Sequence, residues 1–314
     1  MDARILISLS LILLPSFLWL LLKQFYSPWW LENLASSPLI IVPINLLFML
    51  LLMKYLSYGQ CFTYFFINLS IAIFINNWEG GDRSSCDEPI EFFQFNMKYM
   101  EHESKVDELL HQLLTKPFDL IALQGVSQKA KRNIINKLMV HYPYFITGEN
   151  QSLAVRTDQL IFSRFALSDI HYVKSGNSSF LMSSHWHLPQ REISLFTLHP
   201  PSPRNEALWL TRNKVLYQLK QGLEKSKESG EEAIVIGDLN LSKHSARMKI
   251  FPSTMSSSFV NSWPSNIPFA VLGGLAIDHF WLSNSGNICQ RKLIKGLNWS
   301  DHFPIHTTVT FDKK

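Results

Sequence analysis

Three stretches near the start of the chain carry almost no charge. Residues 5–22 form an uninterrupted apolar run of 18 residues, long enough to cross a hydrocarbon core of about 30 Å at about 1.5 Å per residue. Two more runs follow at 38–53 and 56–75, separated by Lys54 and the polar stretch 57–60. Pro43, Asn45 and Asn68 fall inside these runs, where neighbouring helices can satisfy them; the asparagines suit helix-packing contacts or a functional role. Tyr26, Trp29 and Trp30 gather between the first two runs, as aromatics do at a membrane interface. The pattern predicts three membrane helices and an anchor over 1–78. Two alternatives compete. The first run is also the shape of a signal peptide with Arg4 ahead of it, although its length and the lack of a clean small-x-small site argue against cleavage. The other two runs also suit buried helices of a soluble core.

Past residue 78 the periodicity changes. Residues 79–89 are polar, with Gly-Gly, Ser-Ser and Pro, and read as a linker. A short β-type run covers 90–96. Val106, Leu109, Leu110, Leu113 and Leu114 repeat at helical spacing until Pro117. Strands are expected at 120–123, 144–146, 153–155, 160–162, 170–173, 180–187 and 193–198, with a basic-faced helix at 129–140. A long helix follows over 205–225, then a fully apolar strand at 233–236 and last strands at 277–282 and 307–311. Strands and helices mix without strict βαβ alternation. That predicts an α/β (α+β) sandwich of sheets flanked by helices over 90–314.

Composition sharpens this division. The 314 residues are 46% hydrophobic and 17% charged, lean against about 25% charge in soluble domains. Disorder is excluded. Three cysteines exclude a disulfide-rich scaffold and a cysteine-built zinc cluster. Residues 1–78 hold only Arg4, Lys23, Lys54, Asp2 and Glu32 as charges, and all eleven histidines lie beyond them. Net charge of +4 does not demand a nucleic-acid partner. Across three spans, Arg4 and Lys54 share one side while Lys23 and Glu32 share the other with the large domain. The positive-inside rule then places the N-terminus in the cytoplasm and the domain on the far face of a bacterial inner membrane, the periplasmic side. Cys86 and Cys289 either pair in an oxidising compartment or remain thiols.

Polar residues collect at strand ends. Asn96 closes the first strand, and Gln124-Gly125 the second. His199 follows a later one, and Gly237-Asp238-Leu239-Asn240 the apolar one. Asp278 opens Asp-His-Phe-Trp, and Ser300-Asp301-His302 precedes the last strand. Each signal alone is weak: Gly-Asp-Leu-Asn is also an ordinary strand-to-turn sequence. As an ordered set they converge on one mouth of a sheet. Asn96, Asp238, Asn240 and Asp301 are hard oxygen donors suited to Mg²⁺ or Mn²⁺. His302 with an acidic orienter suits water activation, and His199 and the amides suit a phosphoryl oxygen. Trp186 and Trp281 suit base stacking or core packing.

This ordered set resembles the endonuclease/exonuclease/phosphatase superfamily with its DNase I-like fold. The segments are 92–96 (FFQFN), 118–125 (FDLIALQG), 196–205 (FTLHPPSPRN), 235–240 (VIGDLN), 276–283 (AIDHFWLS) and 300–304 (SDHFP). The His-Pro-Pro-Ser-Pro run, Trp209, Arg212-Asn213 and the apolar N-terminus resemble a bacterial membrane-anchored branch. The resemblance implies a four-layer sandwich and divalent-metal-dependent phosphoester hydrolysis. Asn96 and Asp301 would be metal ligands. His199, Asp238, Asn240 and His302 would be catalytic, with Asp278 orienting His302. One position departs: the second motif normally ends Gln-Glu, and here the glutamate is replaced by Gly125. Glu149 and Glu101 are candidate substitutes. The resemblance therefore leaves two readings, a hydrolase with a weakened metal site and a catalytically impaired binding or scaffolding module. The substrate would be a phosphodiester or phosphomonoester, as nucleic acid or as lipid at the bilayer. Lys98, Arg156, Arg164, Arg204 and Arg212 are candidate phosphate contacts.

Overall fold

A computed structural model describes residues 3–52, 56–77, 86–150, 155–266, 274–283 and 286–312. The expected strand at 153–155 lies mostly outside them, as do 79–85 of the linker.

Four helices precede the sheets: α1 (Ala3–Leu22), α2 (Trp29–Ala35), α3 (Ile41–Leu52, entered through a turn of 3₁₀ helix) and α4 (Tyr58–Asn77). Among the described residues α4 alone is long and apolar enough to cross a membrane; α2 and the helical stretch after Pro38 form an apolar pair bent by 87°, and 13–22 is a shorter apolar helix. Trp19, Ile41 and Ala72 join α1, α3 and α4 in a small core. Phe17, Leu20, Leu47, Leu50, Phe62 and Phe74 point outward, unburied.

Two sheets form the rest. The first carries β13 (Gly286–Leu293), β14 (Ile305–Phe311), β1 (Ile90–Asn96), β2 (Leu120–Gln124), β6 (Leu160–Ser163) and β3 (Tyr144–Ile146), in that order. The second runs β11 (Met255–Ser257), β12 (Asp278–Ser283), β10 (Glu232–Asp238), β9 (Arg191–Leu198), β8 (Ser178–Leu188), β5 (Val155–Arg156) and β4 (Glu149–Asn150), with β7 (Ala166–Ser175) on β8. Strand alternation builds three cores. In β1, Phe92 faces the opposite sheet, while Phe93 and Phe95 face α5 (Glu103–Thr115) and α6 (Gln128–Leu138). In β10, Ile234 and Ile236 point between the sheets, and Ala233 and Val235 point toward α7 (Glu206–Glu228). Burial on both faces explains why 233–236 is apolar without alternation. The result is a helix–sheet–sheet–helix sandwich.

Short or edge elements were not legible, among them α2, β4, β11 and β13. The α2 helix is only seven residues, too short for a periodic signal. The β13 strand (GNICQRKL) lies at a sheet edge, where polar residues remain solvated and mask alternation. Cys86 is bonded to Cys289 on β13, with 6.0 Å between Cα atoms, which ties the entry to β1 to the far edge of its sheet. Trp186 is fully buried between the sheets, its indole N–H donating to Ser163 Oγ, and Trp281 stacks on Phe251. Both are packing residues.

Candidate active site

Strand pairing decides which polar residues meet. β1 and β2 run parallel, with Asn96 beside Gln124. β9 and β10 run parallel, with Leu198 beside Gly237. β12 runs antiparallel to β10 and sets Asp278 directly opposite Asp238. The carboxyl ends of four strands, the start of β12 and the segment before β14 thus share one rim of the sandwich. Gly237 is demanded by this register. Its φ is 154°, and a Cβ there would lie 2.1 Å from the Leu198 carbonyl oxygen, so no side chain fits where β10 passes β9.

Asp238 lies at the centre, 1% exposed. Its Oδ2 accepts from Asn96 Nδ2 at 2.8 Å, and its Oδ1 accepts from the Asn240 backbone N–H at 2.8 Å. His199 Nε2 and His302 Nε2 approach the same Oδ2 at 3.8 and 3.7 Å. Each imidazole is held from behind: His302 Nδ1–H donates to Asp278 Oδ2 at 2.7 Å, and His199 Nδ1–H to Asp158 Oδ2 at 2.9 Å. That fixes both Nε2 atoms toward one point beside Asn96 Nδ2, 3.3 Å from His199 and 3.4 Å from His302. Asn240 takes a left-handed backbone (φ 47°) and donates its Nδ2 to the Pro200 carbonyl at 3.0 Å, linking the β9 and β10 loops.

The charges are coupled. Burial lowers the pKa of His302, but the Asp278 carboxylate outweighs it and lifts the group to about 9. His199 follows the same logic: burial opposes its charge, and Asp158 reverses the balance and raises it. Burial pushes Asp238 up, with repulsion from Asp278 adding to it, against partial relief from the two imidazoles. Asp278 and Asp158 are held low by their histidines despite burial.

A second corner lies beside this group. Asn96 Oδ1 accepts from the Lys98 backbone N–H at 2.9 Å, and Lys98 Nζ donates to Asp301 Oδ2 at 2.6 Å. Trp263 Nε1–H also donates to that oxygen, at 3.1 Å. Asp301 Oδ1 is buried with no hydrogen-bond partner. Gly125 borders the corner with φ +58°, and a Cβ there would stand 2.5 Å from Asn96 Oδ1. The Asn96 amide occupies the room a side chain at 125 would take. Asp238, Asp278 and His302 also form a group with ligand atoms within 4.8 Å of one another, able to hold a metal ion.

All seven residues singled out by sequence therefore gather at one rim: Asn96, His199, Asp238, Asn240, Asp278, Asp301 and His302. Two neighbours were missed: Asp158 orients His199, and Tyr99 donates its hydroxyl to Asp158. Lys98, expected as a phosphate contact, sits on Asp301. Asp158 follows a short loop and carries no local signal. Of the candidate phosphate contacts, Arg212 is buried in an ion pair with Glu32, and Arg164 pairs with Asp119. Neither is free for substrate. Glu101 is exposed, and the side chain of Glu149 lies outside the described residues.

Residues 94–302 match the endonuclease/exonuclease/phosphatase family. The chain belongs to that family. No curated protein matches it by sequence. Among solved structures it is similar to D. rerio TDP2 complexed with a single-strand DNA product (TM-score 0.56, 17% identity, 71% of this chain and 100% of that one). It is also similar to a Staphylococcus aureus beta toxin mutant with bound magnesium ions (TM-score 0.54, 14% identity, 71% and 99%). A third is sphingomyelinase C from Streptomyces griseocarneus (TM-score 0.52, 12% identity, 71% and 99%). At these identities the likeness is one of fold. The family is one of divalent-metal-dependent phosphoester hydrolases, and membership supports a hydrolase in general.

Proposed function

We propose that the protein is a membrane-anchored phosphoesterase whose chemistry is carried by two opposed histidine–aspartate pairs around Asp238. The observation that carries this reading is the convergence of His199 Nε2 and His302 Nε2 on one point. Protonated, both donate to phosphoryl oxygens where charge builds in the transition state. Asp238, its carboxyl raised by burial, takes the proton of the attacking water. Asn96 and Asn240 orient Asp238 through the bonds to its two oxygens and contribute amide N–H groups.

A hard divalent cation fits the second corner, with one anionic ligand fewer than the family supplies. The open Oδ1 of Asp301 and the Asn96 amide oxygen would hold it, and Mg²⁺ or Mn²⁺ there supplies Lewis-acid neutralisation of phosphoryl charge. Lys98 competes for the same aspartate. Lys98→Met removes that competitor and is expected to tighten Mn²⁺ binding about tenfold, since a neighbouring unit charge at a partly screened site is worth on the order of 1 kcal/mol. Isothermal titration of parent and variant checks this; equal affinities would show that Lys98 and the cation do not share Asp301.

The outward apolar faces of α1, α3 and α4 support a membrane-embedded segment in which α4 is the span, with α3, at 12 residues, too short to cross by itself, and with 79–89 as linker and 90–314 as the catalytic domain. The Cys86–Cys289 bond supports an oxidising, periplasmic side for that domain. With the anchor beside it, the rim favours a phosphoester presented at the bilayer, such as a lipid headgroup, over a free nucleic acid. Gly125 favours one alternative, a disarmed family member that keeps the cleft for binding. The full-length protein in nanodiscs decides between them. It is expected to hydrolyse a phospholipid or a generic phosphodiester with added Mn²⁺, and Asp238→Asn to abolish this. Phosphoester binding without turnover by the parent would favour the binding module.

A further inference from the structure

The membrane-side segment does not merely tether the domain; it reaches the catalytic loop. Helix α2 carries a single acidic residue, Glu32, which is 2% exposed. Four side chains of the distant domain converge on its carboxylate. Arg212 Nη2 and Ser245 Oγ donate to Oε1 at 2.8 and 3.0 Å. Trp209 Nε1 and Arg247 Nε donate to Oε2 at 2.6 and 2.9 Å. All lie at least 177 residues away in sequence. A carboxylate so enclosed is stable only when each lone pair is met.

The clasp continues into the active site. The same guanidinium of Arg212 donates its Nη1 to the Asn240 carbonyl oxygen at 3.0 Å. Asn240 sits in a left-handed conformation, which asparagine tolerates better than most side-chain-bearing residues. From there its N–H reaches Asp238 and its amide reaches Pro200. A second thread runs parallel: Asn33 Nδ2, next to Glu32, donates to the Pro203 carbonyl at 2.7 Å, in the loop that follows His199. A third joins Ser242 Oγ to the Ser36 carbonyl at 2.6 Å.

We infer that Glu32 is a positioning residue for catalysis, fixing through Arg212 the Asn240 turn that aims Asp238, so that the anchor is part of the active site. This rests on the phosphoesterase reading for its kinetic readout only. With Glu32 neutralised, Arg212 and Arg247 face each other around a group that no longer balances them. The Asn240 carbonyl loses its fixed donor, and the turn samples other conformations. A domain cut free of residues 1–78 carries the same defect.

The test uses the full-length protein in nanodiscs, with Glu32→Gln, Glu32→Asp and the more exposed Arg247→Gln. Two readouts are taken: steady-state kinetics, and hydrogen exchange of residues 238–247 against strands β1 and β2. Glu32→Gln is expected to lower kcat at least tenfold with KM within about twofold. Exchange over 238–247 should rise at least tenfold while β1 and β2 stay protected. Glu32→Asp should recover part of both, and Arg247→Gln should show the same pattern at smaller size. Unchanged kcat and unchanged local exchange would overturn the inference. So would exchange rising equally in β1 and β2, which marks plain destabilisation. If the parent does not turn over, the exchange arm still decides: a local rise supports the clasp, and the phosphoesterase reading alone fails.

Discussion

His302→Ala lowers the kcat of the full-length protein by about three orders of magnitude, the upper range for loss of a positioned proton donor next to developing charge. The variant also loses stability, because His302 is buried against Asp278, so a thermal melt beside the kinetics establishes that it is folded at the assay temperature. The parent shows why the effect is large. Asp278 holds Nδ1 and lifts the imidazole to about 9, so Nε2 carries its proton through the neutral range. The pH profile gives the sign. Activity falls as pH rises through about 9, where His302 loses that proton. In Asp278→Asn the largest raising charge is gone, with only Asp238 and Asp301 left to oppose burial, so this alkaline limb moves to lower pH. Folding follows the same linkage: the pairing stabilises the native state fully below the ordinary value of 6.5 and is lost as pH rises toward about 9. A pH–rate profile of parent, His302→Ala and Asp278→Asn checks all of this. An unmoved alkaline limb in Asp278→Asn would refute the assignment.

Gly125→Glu, the substitution that would restore the family's glutamate, is expected to damage the protein. The backbone at this position has φ +58°, which costs a residue with a Cβ about 1–2 kcal/mol. The new Cβ would also meet Asn96 Oδ1 at 2.5 Å and the Lys98 nitrogen at 3.0 Å. Asn96 cannot yield easily, since its Nδ2 is bonded to Asp238 and its backbone carbonyl accepts from Ser300 Oγ. Together these cost about 2–4 kcal/mol, or a fall in Tm of roughly 5–10 °C. Turnover should fall as well, because Asn96 is pushed off Asp238. Thermal melts and titration with Mn²⁺ measure both effects. An unchanged Tm with tighter Mn²⁺ binding would show that the corner opens freely to admit the carboxylate. The glycine is thus one part of a corner that Asn96 and Lys98 fill together.

Some of this was legible in the residues. The apolar run 233–236 between Gly230 and Asp238 announced a strand buried on both faces, because only a central strand excludes polar residues from both sides. The alternation of β8 and the helical spacing of 106–114 were equally local signals. The polar residues at the ends of apolar strands, Asn96, His199 and Asp238, with Asp301 ahead of the last strand, declared a common rim as soon as the strands were taken to lie side by side. The breaks came where a pattern was too short or too solvated: α2 with seven residues, and β13 with its polar edge face.

What the sequence by itself determined was the division into an apolar helical segment and a mixed sheet region, the strand ends that carry the polar residues, and the glycine at position 125 where the family has glutamate. These depend on periodicity and on residue type at a fixed position, which the chain displays in one dimension. Only the tertiary structure decided who partners whom. It set Asp158 behind His199, Lys98 on Asp301, and Glu32 beneath Arg212 and Arg247, pairs separated by 41 to 215 residues. A buried charge takes the partner that the path of the chain brings within about 3 Å. That path is fixed by how two sheets and the N-terminal helices pack, which no local stretch of sequence records.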